Sequence, residues 1–372
     1  MKKPIYAVAT LAVAALTLAA CGAAPEDEET TGGGDTETTA EAPDNSDFIG
    51  CMISDEGGFD DASFNESGFE GLERAETELG ITIQSAESTD PGAYAGNADA
   101  MVQAGCSLII GVGFALEDTI QAAAEANEDL HFALVDSAFS APDFSPVELP
   151  NAKPLLFNTQ EAAFLAGYLA GGMTQTGTVA TYGGQAFPSV TIFMDGFVDG
   201  VAAYNEAHGT DVQVLGWDKD AQDGSMTGDF TNTENGYNTT QQFIAAGADI
   251  ILPVAGPVGA GSLSAASEHE GVSVIWVDSD GFEQESNAEY QDLILTSVIK
   301  LIGNSVFDTI DAAVAGDFDP TPYVGTLENG GVDLAPYHSF EDQVPAELQT
   351  EIEDLREQII AGDLVIESPS AN

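Results

Sequence analysis

The sequence predicts an α/β fold. It has two lobes, each a doubly wound parallel sheet, joined by a hinge that the chain crosses more than once. Two observations lead there. Ala104-Gly105-Cys106-Ser107-Leu108-Ile109-Ile110-Gly111-Val112 is echoed by Ala246-Gly247-Ala248-Asp249-Ile250-Ile251-Leu252-Pro253-Val254, and each copy continues to a second apolar segment, Phe132–Asp136 and Val274–Asp278. In both copies the final Asp lies 31 residues beyond the glycine, at Asp136 and Asp278. The second observation is that apolar strand-like runs alternate with helical patterns along nearly the whole chain, the signature of parallel sheets covered by helices.

The chain opens with Lys2-Lys3 and a 16-residue apolar run, Ile5 to Ala20. That is short for a membrane span and suits a secretory leader. Leu18-Ala19-Ala20-Cys21 resembles a lipobox. Residues 1–20 are therefore expected to be a lipoprotein signal peptide, with Cys21 as the lipid attachment site. Residues 21–47 are rich in Glu, Asp, Thr and Gly with almost no large apolar side chain. Such a segment cannot bury a core and is expected to be a disordered acidic tether.

The first lobe should run from Phe48 to Phe157. Phe48–Ile53 reads as a strand, Asn65–Leu79 as an amphipathic helix, Ile81–Ser85 as a strand and Pro91–Gln103 as a helix. Strand Leu108–Val112, a helix over 117–127 and strand Phe132–Asp136 follow, with Leu155–Phe157 as a crossover strand. The second lobe repeats the plan. It begins with an Ala- and Leu-rich helix at Glu161–Met173, then strand Thr178–Tyr182, a helix over 190–206 and strand Val212–Trp217. A polar loop over 218–229, helix Tyr237–Ala245, strand Ile250–Val254, a helix over 262–268 and strand Val272–Val277 complete it. Beyond that, Leu295–Ala315 reads as one long helix containing Lys300, Val324-Gly325 as strand, and Ala346–Ile360 as a final helix. These pieces are too few for a third core. Residues of about 285–320 are assigned to the first lobe and about 321–365 to the second.

Seven basic residues stand against 63 acidic ones, a formal net charge of −56. Phosphate binding needs clustered Lys and Arg, so nucleic acid is not an expected partner. Repulsion on this scale is tolerable where salt shortens the Debye length to about 3 Å, which points to a salt-adapted prokaryote. Cys51 and Cys106 fall on strands expected to be neighbours; a disulfide between them and two buried free thiols both remain open. The four histidines are scattered and no zinc-type spacing is present, so no metal or other cofactor is expected. There is no G-x-S-x-G, P-loop or H-E-x-x-H, and no nucleophile sits beside an evident base, so the chain is not read as an enzyme.

Ligands of open α/β sheets bind outside the carboxyl ends of the strands. Three groups of residues fall there. The first is the loop from Ser54 to Asn65, where Asp55 directly follows a strand and has no capping job; Asp61 or Ser63 could cap the helix, and Phe64 suits either stacking on a flat ring or a helix staple. The second is Gly113-Phe114 with Asp136, matched in the other lobe by Gly256 with Asp278. Duplication copies helix caps as readily as binding groups, so recurrence alone does not choose between them. The third is Lys300, a cation in an apolar segment, which needs partners if buried, with Asp136 and Asp278 available, or snorkels at the surface.

The run from Asp55 to Leu72, DEGGFDDASFNESGFEGL, resembles the opening motif of the basic membrane protein (BMP) family, the substrate-binding lipoproteins of ABC importers. EAAFLAGYLA from Glu161, VAGPVG from Val254, VDSD from Val277 and GVDLAPY from Gly331 extend the resemblance over almost all of the chain after residue 47. It implies a type I periplasmic-binding fold that closes on a small molecule, commonly a purine nucleoside, and hands it to a permease with its ATPase. By the same resemblance Phe64 and Phe230 would sandwich the base. Asp55 and Asp136, with neighbouring Asn65, would accept hydrogen bonds from the ligand, and Gly256, Asp278 and Lys300 would hold the ribose. The expected protein is a monomer, lipid-anchored on the extracytoplasmic face of the cell membrane. A sugar or polyol ligand on the same fold, a ligand-sensing ectodomain and a calcium-assisted nucleoside hydrolase are the alternatives.

Overall fold

A computed structural model describes residues 43–371 apart from residue 144. The leader, Cys21 and most of the acidic tether lie outside the described residues. The described end of that tether is not free: Asn45 donates from its backbone to Gly80 O at 3.1 Å and from its side chain to Leu79 O at 2.7 Å. It thereby takes up carbonyls that the first helix leaves unpaired at its C-terminus.

The first sheet is built from β1 (Ile49–Ser54), β2 (Thr82–Ala86), β3 (Leu108–Val112), β4 (His131–Val135) and β5 (Ala152–Phe157), alternating with α1 (Phe64–Leu79), α2 (Tyr94–Ala104) and α3 (Glu117–Ala126). The second contains β6 (Thr178–Gly183), β7 (Gln213–Leu215), β10 (Ile250–Val254) and β11 (Ser273–Asp278). Its helices are α4 (Thr159–Met173), α5 (Pro188–His208), α6 (Thr233–Ala245) and α7 (Gly259–Ser267), and a short hairpin of β8 (Trp217–Asp218) and β9 (Asp223–Gly224) projects from it. The remaining chain supplies β12 (Ile294–Lys300), α8 (Ile302–Ala315), β13 (Tyr323–Gly325), β14 (Val332–Leu334) and α9 (Ala346–Ile360).

The strand orders are β13-β5-β4-β3-β1-β2 and β14-β12-β11-β10-β6-β7. Every pairing in the two sheets is parallel except β12 with β14. β1, β3, β4, β10 and β11 are buried almost throughout, which is why they read as unbroken apolar runs. Each sheet has a topological switch point, between β1 and β3 in the first and between β6 and β10 in the second. The loops that diverge there frame a crevice.

Three expectations are corrected. Leu295–Ala315 is not one helix. Ile294–Lys300 is a strand pairing with β11, and the helix begins only at Ile302. A buried strand and a buried helix both read as continuous apolar sequence, but Ile294, Thr296, Val298 and Ile299 are β-branched and fit the pleated surface. Consequently the division of the tail changes: β12 belongs to the second sheet rather than the first lobe, and β13 pairs with β5 in the first sheet rather than lying in the second lobe. α8 packs on α1, and α9 on α4. The polar segment 218–229 also differs from a plain loop, since it carries the β8–β9 hairpin.

The chain passes between the lobes three times, at Asn158, at Leu301 and through residues 326–331. The passages are tied together, with Asn158 N donating to Gly325 O at 2.7 Å and Leu301 N to Gly331 O at 2.9 Å. Cys51 on β1 and Cys106 just before β3 are bonded, with Cα atoms 6.0 Å apart. Of the two possibilities the sequence left open, the structure has the disulfide.

Candidate functional site

At the two switch points the strand ends face one another across a cleft that is open to solvent. Every residue the sequence offered as a ligand contact lines it: Asp55, Phe64, Asn65 and Asp136 from the first lobe, and Phe230, Gly256, Asp278 and Lys300 from the second.

The first wall is the loop after β1. Asp61, not Ser63, caps α1, its carboxylate accepting from the backbone N–H groups of Ser63, Asn65 and Glu66, each at 3.0 Å. Capping α1 with a side chain two residues upstream leaves Asn65 free to face the cleft, where its Nδ2 donates to Asp55 Oδ1 at 3.0 Å. Asp55 itself packs over Gly113: a Cβ at that glycine would lie 2.0 Å from Asp55 Oδ2. Only glycine allows this approach, and Gly113 also has φ of +110°. Burial pushes the Asp55 carboxyl up to about 7. The hydrogen bond from Asn65 opposes this, and the charges of Asp61, Glu56 and Asp136 reinforce it.

The floor is an ion cluster that spans the lobes. Lys300, at the end of β12, is 2 % exposed, and its ammonium is bonded to Asp136 Oδ2 and lies 3.1 Å from Asp278 Oδ1. Asp278 also accepts from Ser63 Oγ at 2.8 Å. Burial opposes the charge on Lys300, but the two carboxylates outweigh it and hold the ammonium above the ordinary lysine value. Neither repeated Asp caps a helix among the described residues. Both adopt left-handed backbone, φ of +64° at Asp136 and +69° at Asp278. Such a conformation costs a non-glycine residue about 1 kcal/mol or more, and its recurrence at one strand end in each lobe marks a constrained site.

The other walls are aromatic. The ring of Phe64 lies 4.7 Å from the Lys300 ammonium and that of Phe193 lies 5.0 Å from it, so the cation is held by π faces as well as by carboxylates. Phe230 stacks at 6.1 Å on Phe187, which stacks at 5.1 Å on Phe114 of the opposite lobe. Phe187 and Phe193 did not stand out in the sequence. The available signal was position: Phe187 falls between a strand-end Gly183-Gly184 and a helix opened by Pro188, the place where the fold puts ligand contacts. The lining carries five carboxylates (Asp55, Glu56, Asp61, Asp136, Asp278) against one ammonium. An anionic guest is therefore disfavoured, and hydrogen-bond donors are favoured.

The family described as ABC transporter substrate-binding protein PnrA-like matches residues 48–369. Among curated proteins, the ABC transporter nucleoside-binding protein BmpA of Lactococcus lactis subsp. cremoris is 28% identical over 384 residues, covering 99% of this chain and 100% of the relative. The CD4+ T-cell-stimulating antigen of Listeria innocua is 28% identical over 387 residues, covering 98% of this chain and 99% of the relative. Among solved structures, an ABC transporter solute-binding protein from Aeropyrum pernix superposes with a TM-score of 0.76 at 23% identity, over 87% of this chain and 94% of that one. A transcriptional activator of the comK gene from Bacillus halodurans shares the fold, with a TM-score of 0.67 at 18% identity over 86% of this chain and all of the other. Two parallel-sheet lobes, a cleft at their switch points and a family match over nearly the whole described chain agree, and the protein belongs to the PnrA-like family of ABC transporter substrate-binding proteins.

Proposed function

We propose that the protein captures a purine nucleoside in the cleft between its lobes and delivers it to an ABC permease and its ATPase from the extracytoplasmic face of the membrane, where Cys21 anchors it through lipid. The observation that supports this most is the chemistry of the cleft lining, with aromatic faces beside a surplus of carboxylates and one sequestered ammonium. Carboxylates accept from ring N–H groups and ribose hydroxyls, and each charge-assisted bond contributes about 1.5–3 kcal/mol. Stacking a base on an aromatic ring adds about 1–3 kcal/mol. The only cation at the site among the described residues is shared between Asp136 and Asp278, so a nucleotide phosphate would meet acids without a free partner. The lobes contribute one half of the site each, so a ligand that touches both favours the closed form. No chemical step is assigned to the site. Isothermal titration in molar salt with inosine, guanosine and adenosine tests the reading. At least one should bind, and Phe64→Ala should weaken that binding tenfold or more; absence of binding to all three removes the nucleoside from the account.

A further inference from the structure

Two serine hydroxyls join the lobes beside the cleft. Ser279, just beyond β11 in the second lobe, donates from Oγ to Ala62 O of the first lobe at 3.2 Å. Next to it the buried Ser63 Oγ donates to Asp278 Oδ2 at 2.8 Å. Ala62, Ser63 and Ser279 are not among the described residues that line the cleft. Both sides of the Ser279 bond are held in place by their own lobe. A serine hydroxyl has one hydrogen, and Gln284 Nε2 donates to Ser279 Oγ at 3.1 Å, which leaves that hydrogen for Ala62. The turn that carries Ser279 is braced by Asp280. Its Oδ1 accepts from Phe282 N at 3.2 Å, and its Oδ2 lies 2.7 Å from Nε2 of His338, whose ring stacks on Phe282 at 4.1 Å. In the first lobe Ala62 sits in left-handed backbone, φ of +53°, with its N–H donating to Glu66 Oε2 at 2.7 Å. An alanine keeps such a conformation only where its surroundings over-determine it.

We propose that Ser279 and Ala62 form a latch that holds the lobes together in the absence of ligand, so that the resting protein already populates the closed form. Ser279 is a positioning residue, because it touches the other lobe and not the cargo. The latch works whatever the cargo, so it stands apart from the nucleoside reading. A hydrogen bond made only in the closed form favours that form by its own net contribution, about fivefold in the closed-to-open ratio for a neutral pair. Apparent affinity is scaled by the fraction of protein in the binding-competent form. Loss of the latch therefore lowers the affinity for every ligand by one common factor and leaves their ranking unchanged. A residue that touched the cargo would change the ranking.

The test is small-angle scattering of the whole protein in molar salt, dialysed through urea to strip retained ligand. The unmodified protein should give the radius of gyration of the closed structure, and Ser279→Ala a larger one. Ser279→Thr, which keeps the hydroxyl, should return the closed value. Gln284→Ala, which frees that hydroxyl to turn away, should shift the same way as Ser279→Ala by less, and it serves if the Ser279 variant does not fold. Titration with inosine, guanosine and adenosine is the second arm. Ser279→Ala should weaken each ligand that binds by one common factor, no larger than about fivefold, through faster release. A ligand-free protein that scatters as an open form and contracts only when ligand is added overturns the latch. So does Ser279→Ala scattering like the unmodified protein, or a loss of affinity confined to one ligand. Failure of all three nucleosides to bind removes the nucleoside reading alone, because the scattering arm decides the latch without them.

Discussion

Replacing Asp55 with asparagine should make the ligand-free protein more stable at pH 8. The side chain keeps its shape, and an amide oxygen can still accept from Asn65 Nδ2. What disappears is a carboxylate that the cleft does not favour. Its pKa stands at about 7 in the folded protein, chiefly through burial, against an ordinary value of 3.8. The native state therefore holds a proton that the unfolded chain has already released. Stability from this group is fully present below pH 4 and is lost as pH rises toward 7. A gap of about three units corresponds to about 4 kcal/mol, and partial access of water to the cleft edge reduces the expected penalty to about 2 kcal/mol. Urea unfolding of both proteins in molar salt, at pH 5 and pH 8, reads this directly. Asp55→Asn should gain about 2 kcal/mol at pH 8 and less than half of that at pH 5. A difference that is the same at both pH values, or a wild type that becomes relatively more stable at pH 8, would refute the reasoning. The same variant should bind nucleoside poorly, so that the carboxylate is retained for its ligand at a cost in stability.

Other outcomes follow from the same geometry. Lys300→Met leaves Asp136 and Asp278 facing each other without a cation and should cost about 3–5 kcal/mol at neutral pH, partly recovered on acidification as the buried Asp136 takes up a proton; a loss under 1 kcal/mol in urea unfolding would show the cluster to be well solvated. Guanosine affinity should rise between pH 6 and pH 8 with release of a proton, visible as a buffer-dependent binding enthalpy, because Asp55 must be ionised to accept; a flat profile contradicts this. Replacing Cys51 and Cys106 together by alanine removes a link spanning 55 residues and should lower stability by about 4 kcal/mol, whereas an unchanged urea midpoint would show that the crosslink adds nothing. With a net charge of −56, the melting temperature should climb steeply between low and molar salt, and an unvarying one would discount salt adaptation.

The sequence was most legible where burial was complete on both sides of a sheet. β3 and β10 were bounded correctly because nothing but apolar residues fits between two helix layers, and a repeat in the chain became a repeat in the fold. The same feature caused the main error. β12 flows through Leu301 into α8 without a polar break, so two elements looked like one helix and Lys300 was placed on the wrong kind of element. The site residues nevertheless converge, because the rule that used them concerned strand ends and family motif instead of secondary-structure boundaries. Phe187 escaped notice because one aromatic before Pro188 looks like an ordinary helix approach until the opposite lobe brings Phe114 onto it. Asn65 was named, but the bond it makes to Asp55 depends on where Asp55 and Asp61 lie in space.

The three passages of backbone between the lobes decide which motions the molecule retains. Two of them are a single residue long, at Asn158 and Leu301, and both are stitched to the ends of the third. A lone linker would act as a universal joint. Three short straps bound side by side behave like a door hung on its frame: swinging in one plane remains soft, whereas torsion or sliding would stretch every strap at once. The opposing jaws consequently meet in the same alignment on every stroke, and a protease nick in the longest strap would still leave two to guide the swing.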